Sequence, residues 1–290
     1  SHNKNSVKAL TGEAVQLYEA RFGFNQNTHR IAVGEPLGQF YGYITEGLYQ
    51  VDDFNYDAST QTYTLKDGIP YHGDKSRIRP GMWKFKNLTG DDNVIDENDK
   101  TVIGNAQPKF YGGLNNSFTY KGFDLSIFLT FSYGNEVLNA TKLVTSKVGS
   151  LNYNALDVMN SSNRWMTINS DGQKVTDPGE LAALNAGKTV AAYHDAQQGD
   201  NYIHSWAVED ASYLKLSNVT LGYTFPKKLI ARVGLKNLRL YATGNNLLTW
   251  TKYSGFDPEV STMKSGLTPG VDFGAYPLSR SFIFGLNVAF

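Results

Sequence analysis

Between Asn87 and Asp99 the sequence crowds oxygen donors at short intervals: Asn87, Thr89, Asp91, Asp96 and Asp99. Such spacing suits a hard cation, because calcium gathers about six to eight oxygen ligands from one compact loop. The run departs from an EF-hand loop in three ways. It is one residue longer, it starts with Asn, and Asp92 stands where the tight-turn glycine belongs. Calcium held by Asn87, Asp91, Asp96 and Asp99 is one reading of it, and a solvated acidic turn is the other.

Trp83, Trp165 and Trp206 fall in or beside stretches expected to be loops. A flat indole with a polar edge can stack on a sugar ring or a peptide side chain, or it can anchor loop packing. His2, His29, His72, His194 and His204 show no paired metal-ligand spacing, and neither a nucleophile elbow nor a phosphate loop is present. With zero cysteines there is no disulfide framework, thiolate metal site or cysteine nucleophile. Catalysis has no support in the sequence, so the chain reads as a non-enzyme.

The elements that carry these residues are strands. In 290 residues, 27 Lys plus Arg balance 27 Asp plus Glu, so the basic excess that nucleic-acid binding needs is missing. No run approaches the roughly 18 apolar residues of a membrane helix, and the mean hydropathy is -0.37. A membrane β-barrel fits such numbers, since its strands alternate lipid-facing and lumen-facing side chains and collect aromatics in interfacial girdles. Here 18 Tyr, 16 Phe and 4 Trp make up 13% of the chain.

Phe123, Leu125, Ile127, Leu129, Phe131 and Tyr133 alternate with Asp124, Ser126, Phe128, Thr130 and Ser132, a period of two over the length a tilted membrane strand requires. A half-buried strand of a soluble sandwich obeys the same alternation. Tyr111 to Tyr120 reads as its hairpin partner across Lys121-Gly122. Further strands are expected from Asn218 to Phe225, ended by Pro226, from Asn237 to Trp250, and over the last residues, where Phe282, Phe284, Leu286, Val288 and Phe290 share one face. Two weaker strands, about Ala14 to Phe24 and about Phe40 to Val51, bring the expected count to seven. The short links then fall near Asn25 to Leu37, at Lys121-Gly122 and at Pro226 to Lys236. The long connections, about Asp52 to Lys109, Asn135 to Glu209 and Thr251 to Ser279, fall on the opposite side, as short periplasmic turns and long extracellular loops do. Asp177 and Pro178 signal a short helix to Ala186 within one loop.

Against that frame, Val33-Gly34-Glu35-Pro36-Leu37-Gly38-Gln39-Phe40-Tyr41-Gly42-Tyr43, followed by Glu46-Gly47-Leu48-Tyr49, resembles a segment of the SusC-like (SusC/RagA family) TonB-dependent transporters of Bacteroidetes. Other strings agree in order: Ile103-Gly104-Asn105, Pro108 to Gly113, Glu209 to Leu216, Leu221 to Pro226, Tyr253 to Glu259 and Gly274 to Leu278. The resemblance implies an all-β fold, the C-terminal part of a transmembrane antiparallel β-barrel of about 22 strands with long extracellular loops. On that reading residues 1–290 are one C-terminal segment, and the plug and N-terminal barrel strands lie in sequence outside this chain. It also implies a bacterial outer-membrane location and active import of a large nutrient, glycan or peptide. The implied partners are a SusD-like surface lipoprotein, the TonB complex acting through the N-terminal part, the remaining barrel and plug, and membrane lipid. Two other classes remain open on residues alone: a small structural or adhesive outer-membrane barrel, and a secreted carbohydrate-binding β-sandwich.

Overall fold

The computed structural model describes residues 1–2, 4–19, 26–146, 154–192, 202–262 and 265–290. Its largest sheet is a five-stranded antiparallel meander in chain order: β1 (Phe110–Tyr120), β2 (Phe123–Tyr133), β3 (Tyr213–Thr224), β4 (Asn237–Thr251) and β5 (Ser281–Ala289). β1 and β2 close on each other through Lys121 and Gly122, both left-handed with φ of 46° and 88°. Two successive positive φ angles give the turn twist that matches the strands, and glycine adopts one of them without steric cost. Tyr120 pairs with Phe123, and the register runs unbroken to Phe110 opposite Tyr133. Just after β3 ends, Pro226 starts a single turn of helix, Lys227–Ile230, which returns the chain to β4. Both short links therefore sit at one end of the sheet, and the connections 134–212 and 252–280 leave from the other.

The sheet has two chemically distinct faces. Cross-strand rows such as Leu114, Leu129, Leu216 and Leu248, or Phe118, Leu125, Leu221, Ala242 and Phe284, put apolar side chains on one face. The other carries rows such as Ser117, Ser126, Thr220 and Thr243. The pairing is interrupted at one level of the sheet, on both sides of β3. Ser217 has no partner opposite the Phe128/Leu129 step, so the apolar positions of β3 change from Leu214 and Leu216 to Val219 and Leu221. An extra residue of this kind reverses the parity of everything beyond it.

Two expected strands lie elsewhere. The stretch from Phe40 to Val51 is two short strands, Gln39–Gly42 and Thr45–Leu48, belonging to different sheets. Gln39–Gly42 pairs with His29–Ala32 and Thr101–Asn105, whereas Thr45–Leu48 pairs with Trp83–Phe85. The segment near Ala14 to Phe24 contributes Val15–Tyr18 to the first of these sheets, and residues 20–24 lie outside the described residues. The meander thus has five strands, not seven, and the link near Asn25 to Leu37 is no turn of it. The physical reason is burial on both sides: Phe40 and Gly42 are covered on one face and Gln39, next to Phe40, is covered on the other, whereas the meander has one apolar and one polar face.

Residues 1–109 and the two long connections pack into one another. Phe40 shares a core with Leu138, Ala140, Leu143, Ile203, Ala207 and Val271, which come from all three segments. A second core joins Tyr43, Leu48, Trp83 and Phe85 to Trp165, Val175 and Leu181. The short helix within it is Pro178–Leu184, with Asp177 Oδ1 accepting from the Glu180 N–H at 3.0 Å, as the Asp-Pro signal indicates.

Candidate functional site: a two-faced wall and its shared cover

On the apolar face aromatic rings gather at both ends of the sheet. Phe110 and Tyr133 stack at 4.9 Å near the loop end, beside the exposed Trp250. Phe123 and Tyr223 meet at 4.5 Å near the turn end, beside the exposed Tyr120. Between them lie Leu114, Leu125, Ile127, Leu221 and Leu240. An apolar band between two aromatic belts is the surface that a bilayer requires of a spanning sheet.

The polar face is held together by its own hydrogen bonds. Asn218 Nδ2 donates to Asn245 Oδ1 at 2.7 Å, and Asn245 Nδ2 donates to Ser281 Oγ at 3.0 Å, so three strands are tied in a row. Thr220 and Thr243 share a bond of 2.9 Å, and Thr130 bonds the bulged Ser217 at 2.7 Å. Nearer the turns, Arg239 on β4 spans β3 to reach Asp124 on β2, its Nε and Nη2 donating at 3.0 and 2.5 Å. Phe128 is an apolar member of this face, lying over Gly113.

The three long segments are fastened to this wall and to one another by ionic and tyrosyl contacts. Lys215, lying on the polar face with its side chain 7% exposed, donates to Glu259 of the last connection at 2.5 Å. The Tyr213 hydroxyl donates to the other oxygen of Glu259 at 2.7 Å. The Tyr253 hydroxyl donates to Asp272 Oδ2 at 2.6 Å, and burial together with that carboxylate holds the phenol well above its ordinary range. Glu209 accepts from Ser254 N and Oγ, each at 2.9 Å, and from Lys142 Nζ at 3.1 Å. Burial opposes its charge, yet these donors outweigh burial and keep the carboxyl below its usual range. Lys142 also lies 4.0 Å from the centre of the Trp206 ring, a cation–π contact. His29 spans from the first segment to the last: Nδ1 accepts from the Thr28 hydroxyl at 2.8 Å, and Nε2 donates to Pro269 O at 2.9 Å. A carbonyl can only accept, so Nε2 carries the proton. Burial pushes this imidazole down to about 4.

The residues singled out in the sequence fall into three groups. Trp83 and Trp165 are 7% and 2% exposed, in the core that joins the first two segments, and neither offers a free ring face. Trp206 is partly buried and meets Trp83 at 4.9 Å, with the His204 ring stacked on it at 6.1 Å. The acidic loop is closed on itself. Asp99 is fully buried; its Oδ1 accepts from Leu88 N, Thr89 N and Thr89 Oγ1, and Oδ2 accepts from Asp96 N. Burial alone would raise its carboxyl, but these donors bring it below the usual range. Asp96 accepts from Asn98 N, Asn87 Nδ2 donates to Asp92 O, and Asp91 is exposed. Among the described residues no three His, Cys, Asp or Glu side chains converge as metal ligands. As arranged, Asn87, Asp91, Asp96 and Asp99 fit a hydrogen-bonded turn better than a calcium cage. His194 lies outside the described residues. Residue-by-residue reading did not single out Asp124 with Arg239, Lys215 with Glu259, Glu209 or His29. Glu209 and Glu259 do stand inside the strings that carry the family resemblance, and that was the available signal.

Comparison with known proteins agrees with this geometry. No family model matches the sequence. TonB-dependent receptors P3 and P39 of Formosa agariphila are 34% and 31% identical to it over the whole chain, which spans 26% and 28% of their lengths. TonB-dependent receptor SusC of Bacteroides thetaiotaomicron is 28% identical over 68% of the chain. The chain thus covers about a quarter of the first two relatives. Among solved structures, the RagAB peptide transporter superposes on 98% of this chain with a TM-score of 0.62 at 20% identity, covering 25% of that chain, a likeness of fold. With its antiparallel wall, paired aromatic belts and full-length alignment to these receptors, the chain belongs to the SusC-like TonB-dependent receptors of the bacterial outer membrane.

Proposed function

We propose that this chain supplies C-terminal barrel wall and extracellular cover to a transporter that imports a large nutrient, glycan or peptide, across the outer membrane. In this reading the apolar face of β1–β5 meets lipid, the polar face lines the lumen beside a plug, and the loop end lies outside the cell. The observation that carries it is the combination of the two-faced sheet with a cover in which all three long segments share a buried core at one end. A cover of that kind can hold cargo at the mouth. Energy for passage comes from TonB acting through the N-terminal part of the protein, and a SusD-like surface lipoprotein closes over the mouth. The name of SusC among the relatives supports the lipoprotein partner, and that of RagAB keeps a peptide cargo open beside a glycan. The test is growth of cells lacking the gene on single glycans and on peptide mixtures, with and without functional TonB, alongside co-purification with the neighbouring lipoprotein. A TonB-dependent growth defect on one nutrient class is expected. Unchanged growth on all of them would remove the import reading.

A further inference from the structure

The turn end of the sheet is charged in one sense. Residues 118–124, 222–239 and 285–290, which form that end, carry six cationic side chains and one carboxylate side chain, Asp124. Arg239 engages Asp124 on the polar face, which leaves Lys121, Lys227, Lys228, Arg232 and Lys236, all of them exposed. None of the five has a carboxylate side chain as partner among the described residues, and the main-chain carboxyl of Phe290 offsets one charge at most. Two of these cations lie on the apolar side. Lys121 Nζ stands 5.1 Å from the centre of the Tyr120 ring, and Tyr120 belongs to the apolar face through its pairing with Phe123. Lys236 continues the phase of Leu238 and Leu240, its N–H donating to Ala289 O at 2.8 Å. The link from β3 to β4 leaves from beside the hairpin, where Thr224 N donates to Gly122 O at 2.7 Å, and makes the helix Lys227–Ile230 and a 3-10 turn, Ala231–Val233. Ile230 is buried and pins the link, whereas Leu229 and Val233 are exposed among the cations.

We propose that this end of the sheet is a docking surface for the headgroups of anionic phospholipids, with Lys121, Lys227, Lys228, Arg232 and Lys236 engaging phosphate oxygens. Charge complementarity is the first ground: cations without internal counter-ions gain most from an anionic surface, and each one close to such a surface adds to the attraction. The level is the second. The aromatic belt of Tyr120, Phe123 and Tyr223 comes just before these cations, and such belts sit at the depth of the headgroups. Lys121 and Lys236 can lay their methylene stems along the apolar face and raise their ammonium groups to the phosphates. They flank the end of β3, on strands two spacings, roughly 10 Å, apart. Exposed Leu229 and Val233 among cations give the link the mixed basic and apolar surface of a segment lying in the membrane interface. An acidic peptide or a free phosphate satisfies the charge and has no use for those two side chains.

This assignment rests on the reading in which the apolar face of β1–β5 meets lipid, and it names the lipid chemistry selected at one rim. The experiment is native mass spectrometry of the intact transporter, exchanged into detergent with equimolar phosphatidylglycerol and phosphatidylcholine of matched chains, counting which lipid stays bound. Phosphatidylglycerol is expected to be retained over phosphatidylcholine by roughly tenfold, and less so as salt is raised. A variant combining Lys121→Gln, Lys227→Gln, Lys228→Gln, Arg232→Gln and Lys236→Gln should lose most of that preference, while Lys121→Arg with Lys236→Arg should keep it. All five side chains are exposed and lie outside the strands, so these variants keep the fold, and heat-modifiable mobility on gels checks it. Equal retention of the two lipids, an undiminished preference in the Gln variant, or displacement of the lipid by equimolar inorganic phosphate or tetraglutamate would overturn the surface. Lipid retention in detergent needs neither TonB nor cargo. Its failure therefore leaves the import reading intact, and unchanged growth on every nutrient would defeat that reading without touching the lipid count.

Discussion

Arg239 holds Asp124 across an intervening strand, and it can do so because Gly222 lies between them without a side chain. A Cβ at that position would run into Arg239 Nη2 and come within 2.5 Å of Asp124 Oδ1. Gly222→Ala should therefore act by separating the ion pair. The pair is partly exposed, so its loss is expected to cost little. Arg239→Gln should cost little more once Gly222→Ala is in place, a non-additive cycle readable from urea unfolding midpoints. Full additivity of the two changes would show that the glycine serves something else.

Ile127 lies at the middle of β2, in the apolar row of Asn116, Val219, Gly244 and Phe282. Ile127→Arg should destabilise the barrel by roughly 2 to 4 kcal/mol, the cost of a guanidinium near the bilayer midplane. Ser126→Arg, one residue away on the polar face, should be close to neutral. Folding yields in phospholipid bilayers at graded urea would compare them, and equal tolerance would reverse the face assignment.

Lys215 is nearly buried, whereas its partner Glu259 is 35% exposed on the side chain. Glu259→Gln leaves an ammonium group short of its anion, at a cost of about 1 to 3 kcal/mol, with solvent near the glutamate limiting the loss. The Gln amide keeps one acceptor oxygen for two donors, so either Lys215 or the Tyr213 hydroxyl loses its partner. Proteolysis within residues 252–280 should accelerate in the variant, and adding Lys215→Met should recover part of the stability by removing the stranded charge. Protease resistance equal to the parent would argue that the last connection is held by its other ties, among them Ser254 to Glu209, Pro269 to His29 and the packing of Val271.

His29 gives a pH dependence of defined sign. Burial lowers its folded-state pKa to about 4 from an ordinary value near 6.5. Between those values the unfolded chain takes up a proton that the folded one refuses, so stability is full above about pH 6.5 and falls as the pH drops toward 4. The contribution is at most about 3 kcal/mol. Hydrogen exchange at the contact between His29 and Pro269 should quicken from pH 7 to pH 5, and His29→Gln should flatten that slope. An unchanged slope in the variant would assign the effect to carboxylates.

The wall was legible because each of its strands separates two media, so Phe123 to Tyr133 and Phe282 to Phe290 print the difference directly as alternation. Lys121-Gly122 announced its turn for the same local reason, a glycine where two positive φ angles are needed. β3 was legible only from Asn218 onward, since the bulge at Ser217 puts Leu214 and Leu216 out of phase with Val219 and Leu221. The cover was not legible as a cover. Phe40 is packed on every side, so no alternation marks it, and its neighbours Leu138 and Val271 are far away in sequence. Nor do the latches advertise themselves: Glu259 meets Lys215, and Glu209 meets Ser254, only when separate stretches of the chain converge. For the tryptophans, the sequence left stacking and packing open, and burial of Trp83 and Trp165 follows from that same convergence.

Because Phe40, Leu138 and Val271 share one dry core, the three long connections cannot behave as independent flaps. Any displacement of one must drag the others or expose that core to water, and exposure costs roughly 25 cal/mol for each Å² of apolar surface. The economical motion is a rigid tilt of the whole assembly about the rim where the strands end. Its hinges would then lie at Lys109–Phe110, Tyr133–Gly134, Ser212–Tyr213, Thr251–Lys252 and Arg280–Ser281, so a crosslink placed across any one of those joints should lock all three segments together.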